Sequence, residues 1–342
     1  MTGQAHDDNA LQGESPEATV TLIYRVLLGR EPDPEGLRHH SDALRANRAT
    51  PRQLAVAITR SAEFLGAPTL SGIAEHVRAM DCDFLLPGGS PVAAELASPE
   101  GYEPWVLPYF LEQCRPGMTV FDIGASWGAF ALPAGRRVGP AGRVFAVEVS
   151  PANCRVLLRS ARASGLGNVI VLPFGLSDRL GPELLRRQDF TNNNAIQSDL
   201  GPADVDMDDY DIVPVVPVDL IRGALGRVHI VKMDVEGMEY RVSIGALAFL
   251  REHRPMVFCE YSPAFQLAGS GVDGGELLGL YLDLGYGVEI LHRHAPRQVV
   301  AGPGHGAVIQ QVDDAWRAHV ERDQGTHLDL CLRPFSAAGA TG

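Results

Sequence analysis

The chain has 342 residues, 45% of them hydrophobic, and a formal net charge of -13. That length suits one large or two ordinary domains with a sizeable core. The acidic balance argues against a nucleic-acid partner, because phosphate binding needs a basic face. Five dispersed cysteines, Cys82, Cys114, Cys154, Cys259 and Cys331, include no C-x-x-C pair, the pattern expected of a reduced cytosol rather than a disulfide framework. The opening MTGQAHDDNA has no apolar h-region, and no apolar run reaches membrane-spanning length. A cytoplasmic protein without a membrane partner is expected.

Residues 1–17 are polar and read as a disordered tail. From residue 18, Val20, Ile23, Tyr24, Leu27 and Leu28 fall on one helical face, and Gly29 ends that helix. EPDPEG is a turn, and residues 37–46 read as a second helix. Thr50-Pro51 starts a third, lined by Leu54, Ile58 and Phe64. Residues 18–66 therefore form a small all-helical domain. LIYRVLLGREPDPEGLRHH with the trailing RSAEFL resembles a small bacterial helical domain of unknown function. The match is carried by Tyr24, Leu28, Gly29, Arg30, Pro32, Asp33, Gly36, Ser61, Glu63 and Phe64. The resemblance implies a positioning role, in protein contact or oligomerisation, rather than a reaction.

Residues 67–117 read as a linker and cap. PGGSPVAAELAS holds a turn and a short strand, and EPWVLPYFLEQCRPG an amphipathic helix. Its Trp105, Val106, Tyr109 and Phe110 either pack on a sheet or roof a ligand site, and packing is the expectation.

Residues 118–150 carry the strongest pattern, strand, glycine turn, helix, strand. Val120, Phe121 and Ile123 flank Asp122 where a buried parallel strand reaches its carboxyl end. Gly124 and Gly128 bracket the turn, with Ala125, Ser126 and Trp127 between them, where backbone would approach a ligand. The second strand ends on Glu148, placed to hydrogen-bond ribose hydroxyls, with Val149 beside it. The dinucleotide fingerprint G-x-G-x-x-G is incomplete, because the middle glycine is absent. Asp122 repels phosphate but suits a cationic ligand. S-adenosylmethionine, with its ammonium and sulfonium and no phosphate, is preferred over NAD.

Ser150 and Pro151 mark the next helix start and Gly165 its stop. NVIVLPFGLSD is a third strand ending on Ser177 and Asp178, which can face an adenine amino group or merely start a turn. Residues 191–216 are the least regular part, read as a lid or exposed loop, with Asn192, Asn193 and Asn194 available to a polar substrate.

VHIVKMD is a fourth strand, followed by a helix over residues 238–251. Lys232 within it must pair with a carboxylate or emerge at the strand end. Asp234 and Glu236 follow on one side and Glu239 begins the helix. These three either hold a divalent metal, which is possible but not expected, accept a proton, bind a substrate group, or simply cap the Gly237 turn. PMVFCEYSP is a fifth strand with Glu260 near its end, and GVEILHRH a sixth. His292 and His294 share a face there if the strand persists, and either can act as a base. HLDLCLRPF is the last strand, and residues 335–342 are a polar tail.

Residues 118–334 resemble the FkbM family of S-adenosylmethionine-dependent methyltransferases. The carriers are FDIGASWGAF, VFAVEVSP, VKMDVEGMEYRV, MVFCE and the RPG before the first strand. The resemblance implies an α/β, Rossmann-like sheet of seven strands with an antiparallel last strand. It implies methyl transfer to a hydroxyl of a sugar or natural-product small molecule. Ser126-Trp127 stands where the family usually has Asn and a small or aliphatic residue, and Val149 where proline is common. Expected cofactor contacts are Asp122, the 124–128 turn, Glu148, Val149, Ser177, Asp178 and Asp234. Expected catalytic groups are Asp234, Glu236, Glu239, Lys232 and His292. An N- or carboxyl-methyltransferase, an oxidoreductase and a non-catalytic nucleoside-binding protein remain the alternatives.

Overall fold

Asp33 sets the geometry of the N-terminal unit. Its carboxylate accepts from the backbone N–H groups of Glu35 and Gly36 and caps the helix Pro34–Arg45. That helix therefore starts three residues earlier than residues 37–46, with proline in its first turn. It packs on the helix Pro16–Leu28, whose Val20 and Tyr24 are buried. A Cβ on Gly36 would lie 2.8 Å from the Tyr24 hydroxyl, so this glycine is fixed by packing. Leu54 and Ile58 are helical and buried. The computed structural model describes residues 15–28, 31–50, 53–54, 57–58, 61, 75–186, 196–197, 209–323 and 325–335. The chain divides into two units, Met1–Pro68 and Thr69–Gly342.

The second unit opens with a hairpin, β1 (Glu75–Ala79) and β2 (Cys82–Leu86), turned by Met80 and Asp81 at φ 50° and 57°. Backbone N–H groups of Asp83 and Leu85 donate to the Ser164 and Ser160 hydroxyls, fastening it to the helix Pro151–Ala163. Where a strand is expected over residues 87–98, Pro91–Ala97 is a helix, because Ser90 caps it on the Ala93 amide. The next helix is Leu107–Gln113. Its Phe110 stacks edge-on against Phe130 and Phe258, so packing is its role.

The remaining strands are β3 (Thr119–Ile123), β4 (Arg143–Val147), β5 (Val169–Leu172), β6 (Gly175–Leu176), β7 (Gly181–Arg186), β8 (Ile196–Gln197), β9 (Tyr210–Val216), β10 (Ile230–Met233), β11 (Met256–Tyr261), β12 (Tyr286–Leu291), β13 (Gln298–Val300) and β14 (Leu328–Pro334). One sheet has the order β13-β12-β14-β11-β10-β3-β4-β5. From β11 to β5 its neighbours are parallel. β14 runs antiparallel between β11 and β12. The seven expected strands are present, and β13 adds an eighth at the edge. Alternate residues of β3 feed two cores, Val120 on one face of the sheet and Phe121 and Ile123 on the other.

Three local expectations are corrected. NVIVLPFGLSD splits at Pro173, with β5 in the large sheet and β6 in a second sheet of order β6-β9-β7-β8. β9 occupies part of the stretch expected to be irregular, because Val213 and Val215 alternate inward and are buried. Asn192, Asn193 and Asn194 lie outside the described residues. The helix expected over residues 238–251 is two, Glu239–Ile244 and Leu247–His253. At the break, a Cβ on Gly245 would sit 2.1 Å from the Ser177 carbonyl oxygen. The long helix His305–Asp323 is an element that sequence reasoning missed. No helix of the described residues is long and apolar enough to cross a membrane.

Candidate functional site

Strand order reverses at β3, which has β4 on one side and β10 on the other. In open α/β sheets the crevice beyond the carboxyl ends at such a point binds ligands. A cleft lies there, walled by the 124–128 turn, Glu148, Phe174 and the residues that follow β10.

The 124–128 turn forms its floor. Gly124, Ser126 and Gly128 have φ of 82°, 46° and 93°. A Cβ on Gly124 would lie 1.8 Å from the Asp234 carbonyl oxygen, and one on Gly128 2.3 Å from Leu157 Cδ1. Close approach of the chain's own backbone and side chains therefore demands these glycines, whatever a ligand adds. Trp127 is buried and donates its Nε1–H to Asn153 Oδ1 at 2.7 Å, tying the turn to the helix Pro151–Ala163.

Glu148 organises the same turn. Its Oε2 accepts from the Ser126 amide and its Oε1 from the Ser150 amide, both at 2.7 Å. Burial pushes its carboxyl up to about 7, against the pull of those amides. Asp122 is 2% exposed. Burial pushes it to about 7 as well, opposed by Lys232 and by the Ala131 amide it accepts from. Its Oδ2 is buried without a hydrogen-bond partner among the described residues.

Lys232 meets the requirement placed on it. Its buried Nζ donates to Asp234 Oδ2 at 3.1 Å and lies 4.8 Å from the Phe130 ring centroid. Burial disfavours the ammonium, but Asp234, Glu103, Glu260 and Asp329 raise its pKa well above the usual value. Beyond β10, Glu236 holds a left-handed backbone, φ 54°. Burial first, then Asp234 and Glu239, raise its carboxyl to about 7.

Asp122, Gly124, Ala125, Ser126, Trp127, Glu148, Val149, Lys232, Asp234 and Glu236 all line the cleft. Other expected site residues do not. Gly128 lies under the turn, against Leu157 and Leu132. Ser177 is buried and donates to Asp178 Oδ1 at 3.0 Å, and Phe174, Gly175 and Leu176 line the wall instead. Glu239 buttresses the turn, accepting from the Val235 amide at 3.1 Å and from Gln266. Asp234, Glu236 and Glu239 thus do not converge as ligands; among the described residues the group with that geometry is Glu260, His327 and Asp329. His292 follows the end of β12, 3.2 Å from Gln298 Oε1, and lines a separate small cavity. His294 is exposed, because the strand stops at Leu291 and the two histidines share no strand face.

Sequence reasoning missed Tyr102, which lines the cleft and stacks on Phe130 at 6.1 Å. It also missed Glu103, at φ 39°, whose carboxyl burial pushes up to about 8. A non-glycine residue strained beside an acidic strand end was a structural signal with no counterpart in local sequence.

Residues 122–288 match the family model described as Methyltransferase FkbM domain, and residues 9–67 one described as Domain of unknown function (DUF4214). A Nocamycin O-methyltransferase of Saccharothrix syringae is 39% identical over 57 residues, 17% of this chain and 20% of that protein. A Ribosomal protein L11 methyltransferase of Pelotomaculum thermopropionicum is 42% identical over 67 residues, 19% of this chain and 21% of that protein. The chain thus matches these curated relatives over about a fifth of their length. Among solved structures, the methyltransferase FkbM of Methylobacillus flagellatus KT overlaps with a TM-score of 0.37 at 16% identity, covering 67% of this chain and 51% of that one. A fibrillarin of Aeropyrum pernix with natively bound S-adenosyl-L-methionine overlaps at 0.36 and 11% identity, covering 64% and 67%.

Proposed function

We propose, from the membership of residues 122–288 in the FkbM methyltransferase family, that this chain is an S-adenosylmethionine-dependent methyltransferase. Its acceptor is a hydroxyl on a small molecule, a sugar or natural-product scaffold. The observation that carries the reading is the buried, unpartnered Oδ2 of Asp122 above the 124–128 turn. An unpaired buried carboxylate oxygen is costly, and a ligand ammonium relieves that cost. A pyrophosphate would aggravate it.

The residues fit the cofactor as follows. Asp122 and the backbone of the turn hold the amino-acid end. Glu148, already fixed by two amides, has lone pairs left for ribose hydroxyls. Phe174 and Leu176, rather than Ser177 and Asp178, offer apolar wall for the adenine. When bound, the cofactor supplies an electrophilic methyl group for in-line displacement.

The protein contributes alignment and a proton acceptor. Asp234 is tied to Lys232 and orients the polar end of the cleft. Glu236, raised to about 7, is matched to taking a hydroxyl proton near neutral pH. Tyr102 and Phe130 exclude water from above. The five cysteines are free and buried, which supports a reducing, cytoplasmic setting. The N-terminal helical unit serves protein contact. Calorimetry with S-adenosylhomocysteine and with NAD tests the cofactor assignment: the first binds and the second does not. Mass spectrometry of hydroxylated metabolites incubated with methyl-labelled cofactor tests the reaction, and label found on nitrogen or carboxylate would move the chain to the other acceptor class.

A further inference from the structure

β11 and β14 bring Glu260 directly opposite Asp329. Like charges facing each other across paired strands destabilise a sheet. Here both side chains are shielded, at 14% and 7% exposure. His327 lies just before β14, its Nε2 3.4 Å from Glu260 Oε1 and 3.9 Å from Asp329 Oδ2. All three ligand atoms lie within 4.8 Å of one another. An ion about 2.0–2.3 Å from each donor holds them roughly 3–4.5 Å apart, so the spacing suits a common ligand.

The surroundings orient these groups. Trp105 donates its Nε1–H to Asp329 Oδ2 at 2.7 Å. The Thr326 hydroxyl is 3.4 Å from His327 Nδ1, which leaves Nε2 turned toward the carboxylates. Outer contacts of this kind fix the tautomer and aim of metal ligands.

A second observation comes from Glu103. Its Oε2 is buried and has no hydrogen-bond partner among the described residues. That carboxylate acts electrostatically on Glu260 and is acted on by Asp329, Asp234 and Lys232. Four carboxylates, those of Glu103, Asp234, Glu260 and Asp329, thus share the Lys232 ammonium. Burial of several carboxylates around one ammonium is costly, and a bound cation would lower that cost.

We propose that Glu260, His327 and Asp329 bind a divalent transition-metal ion at the carboxyl edge of the sheet. One imidazole with carboxylates suits Mn²⁺, Fe²⁺ or Zn²⁺ better than an all-oxygen cation such as Mg²⁺. His327 and Asp329 also wall the small cavity lined by Trp105 and Arg293. An acceptor hydroxyl meeting the ion has its pKa lowered. That role rests on the methyltransferase reading; the ion site itself does not.

The test titrates metal-stripped full-length protein with Mn²⁺ and follows the free-ion signal by electron paramagnetic resonance. One Mn²⁺ binds per chain, and Glu260→Gln combined with Asp329→Asn weakens it at least tenfold. His327→Ala, at a partly exposed position, weakens it as well and guards against misfolding of the double variant. S-adenosylhomocysteine calorimetry on the same samples checks the fold. Wild-type protein that binds S-adenosylhomocysteine but no Mn²⁺, or a His327→Ala variant with unaltered Mn²⁺ affinity, overturns the proposal. Mn²⁺ binding without S-adenosylhomocysteine binding leaves the ion site standing and removes the methyl-transfer role.

Discussion

Gly124→Ala separates two reasons for a glycine in the 124–128 turn. One is room for a ligand; the other is room for the chain itself. The added Cβ would lie 1.8 Å from the Asp234 carbonyl oxygen, at φ 82°. A left-handed alanine costs about 1–2 kcal/mol. Overpacking against backbone, which cannot swing aside as a side chain can, costs about 1–3 kcal/mol more. The sum, roughly 2–5 kcal/mol, is a large part of the ~5–15 kcal/mol that holds a domain folded. Gly271→Ala is the control, since it is left-handed too, at φ 73°, but nothing lies within 4 Å of its Cβ. It should show the backbone term alone. All three tryptophans, Trp105, Trp127 and Trp316, belong to the second unit, so their emission during urea unfolding reports that unit. With a slope of about 3 kcal/mol per molar urea, the upper end expected for a unit of this size, Gly124→Ala lowers the midpoint by roughly 0.7–1.7 M without any cofactor present. A midpoint equal to that of Gly271→Ala would show that chain packing is not the reason, and ligand approach would take its place.

Further outcomes follow from the same geometry. Glu236→Gln should lower kcat by about 100- to 10,000-fold while S-adenosylhomocysteine affinity changes only a few-fold; unaltered turnover on the identified acceptor removes it as the base. Glu148→Gln leaves one of the Ser126 and Ser150 amides facing an NH₂ group instead of an acceptor, at about 1–3 kcal/mol, so calorimetry should find S-adenosylhomocysteine binding weaker by tenfold or more. The carboxyls of Asp122, Glu148, Glu236 and Glu239 are pushed up to about 7 and that of Glu103 to about 8, whereas unfolded carboxylates titrate near ~4. The folded state then holds more protons than the unfolded one between those values, so ligand-free stability falls as pH rises from about 4 through 8. A urea midpoint that climbs between pH 5.5 and 8 contradicts the burial argument. An ammonium beside Asp122 favours its ionised form, so binding at pH 7 releases about half a proton; an observed enthalpy independent of the buffer's ionisation enthalpy counts against that contact.

The candidate crevice was legible because its parts are close in sequence. Residues 118–150 contain the strand, the turn and the acid that fixes the turn, and Glu148 reaches the Ser126 amide across 22 positions. Lys232 was legible through a cost, since a buried ammonium must find a carboxylate, and Asp234 lies two residues on. Glu239 misled because its helix-start position looks the same whether its side chain faces a cleft or, as here, the Val235 amide and Gln266.

Local pattern by itself therefore determined the parallel α/β layout, the turn and the identity of its carboxylates, because burial period and glycine placement act over a few residues. Tertiary structure alone decided the rest. Glu260 and Asp329 meet only because β14 turns antiparallel beside β11, and Trp105 joins Asp329 across 224 positions. Strand neighbours are chosen by the packing of whole faces, and a residue's own surroundings in the chain carry no record of which distant partner will be set against it.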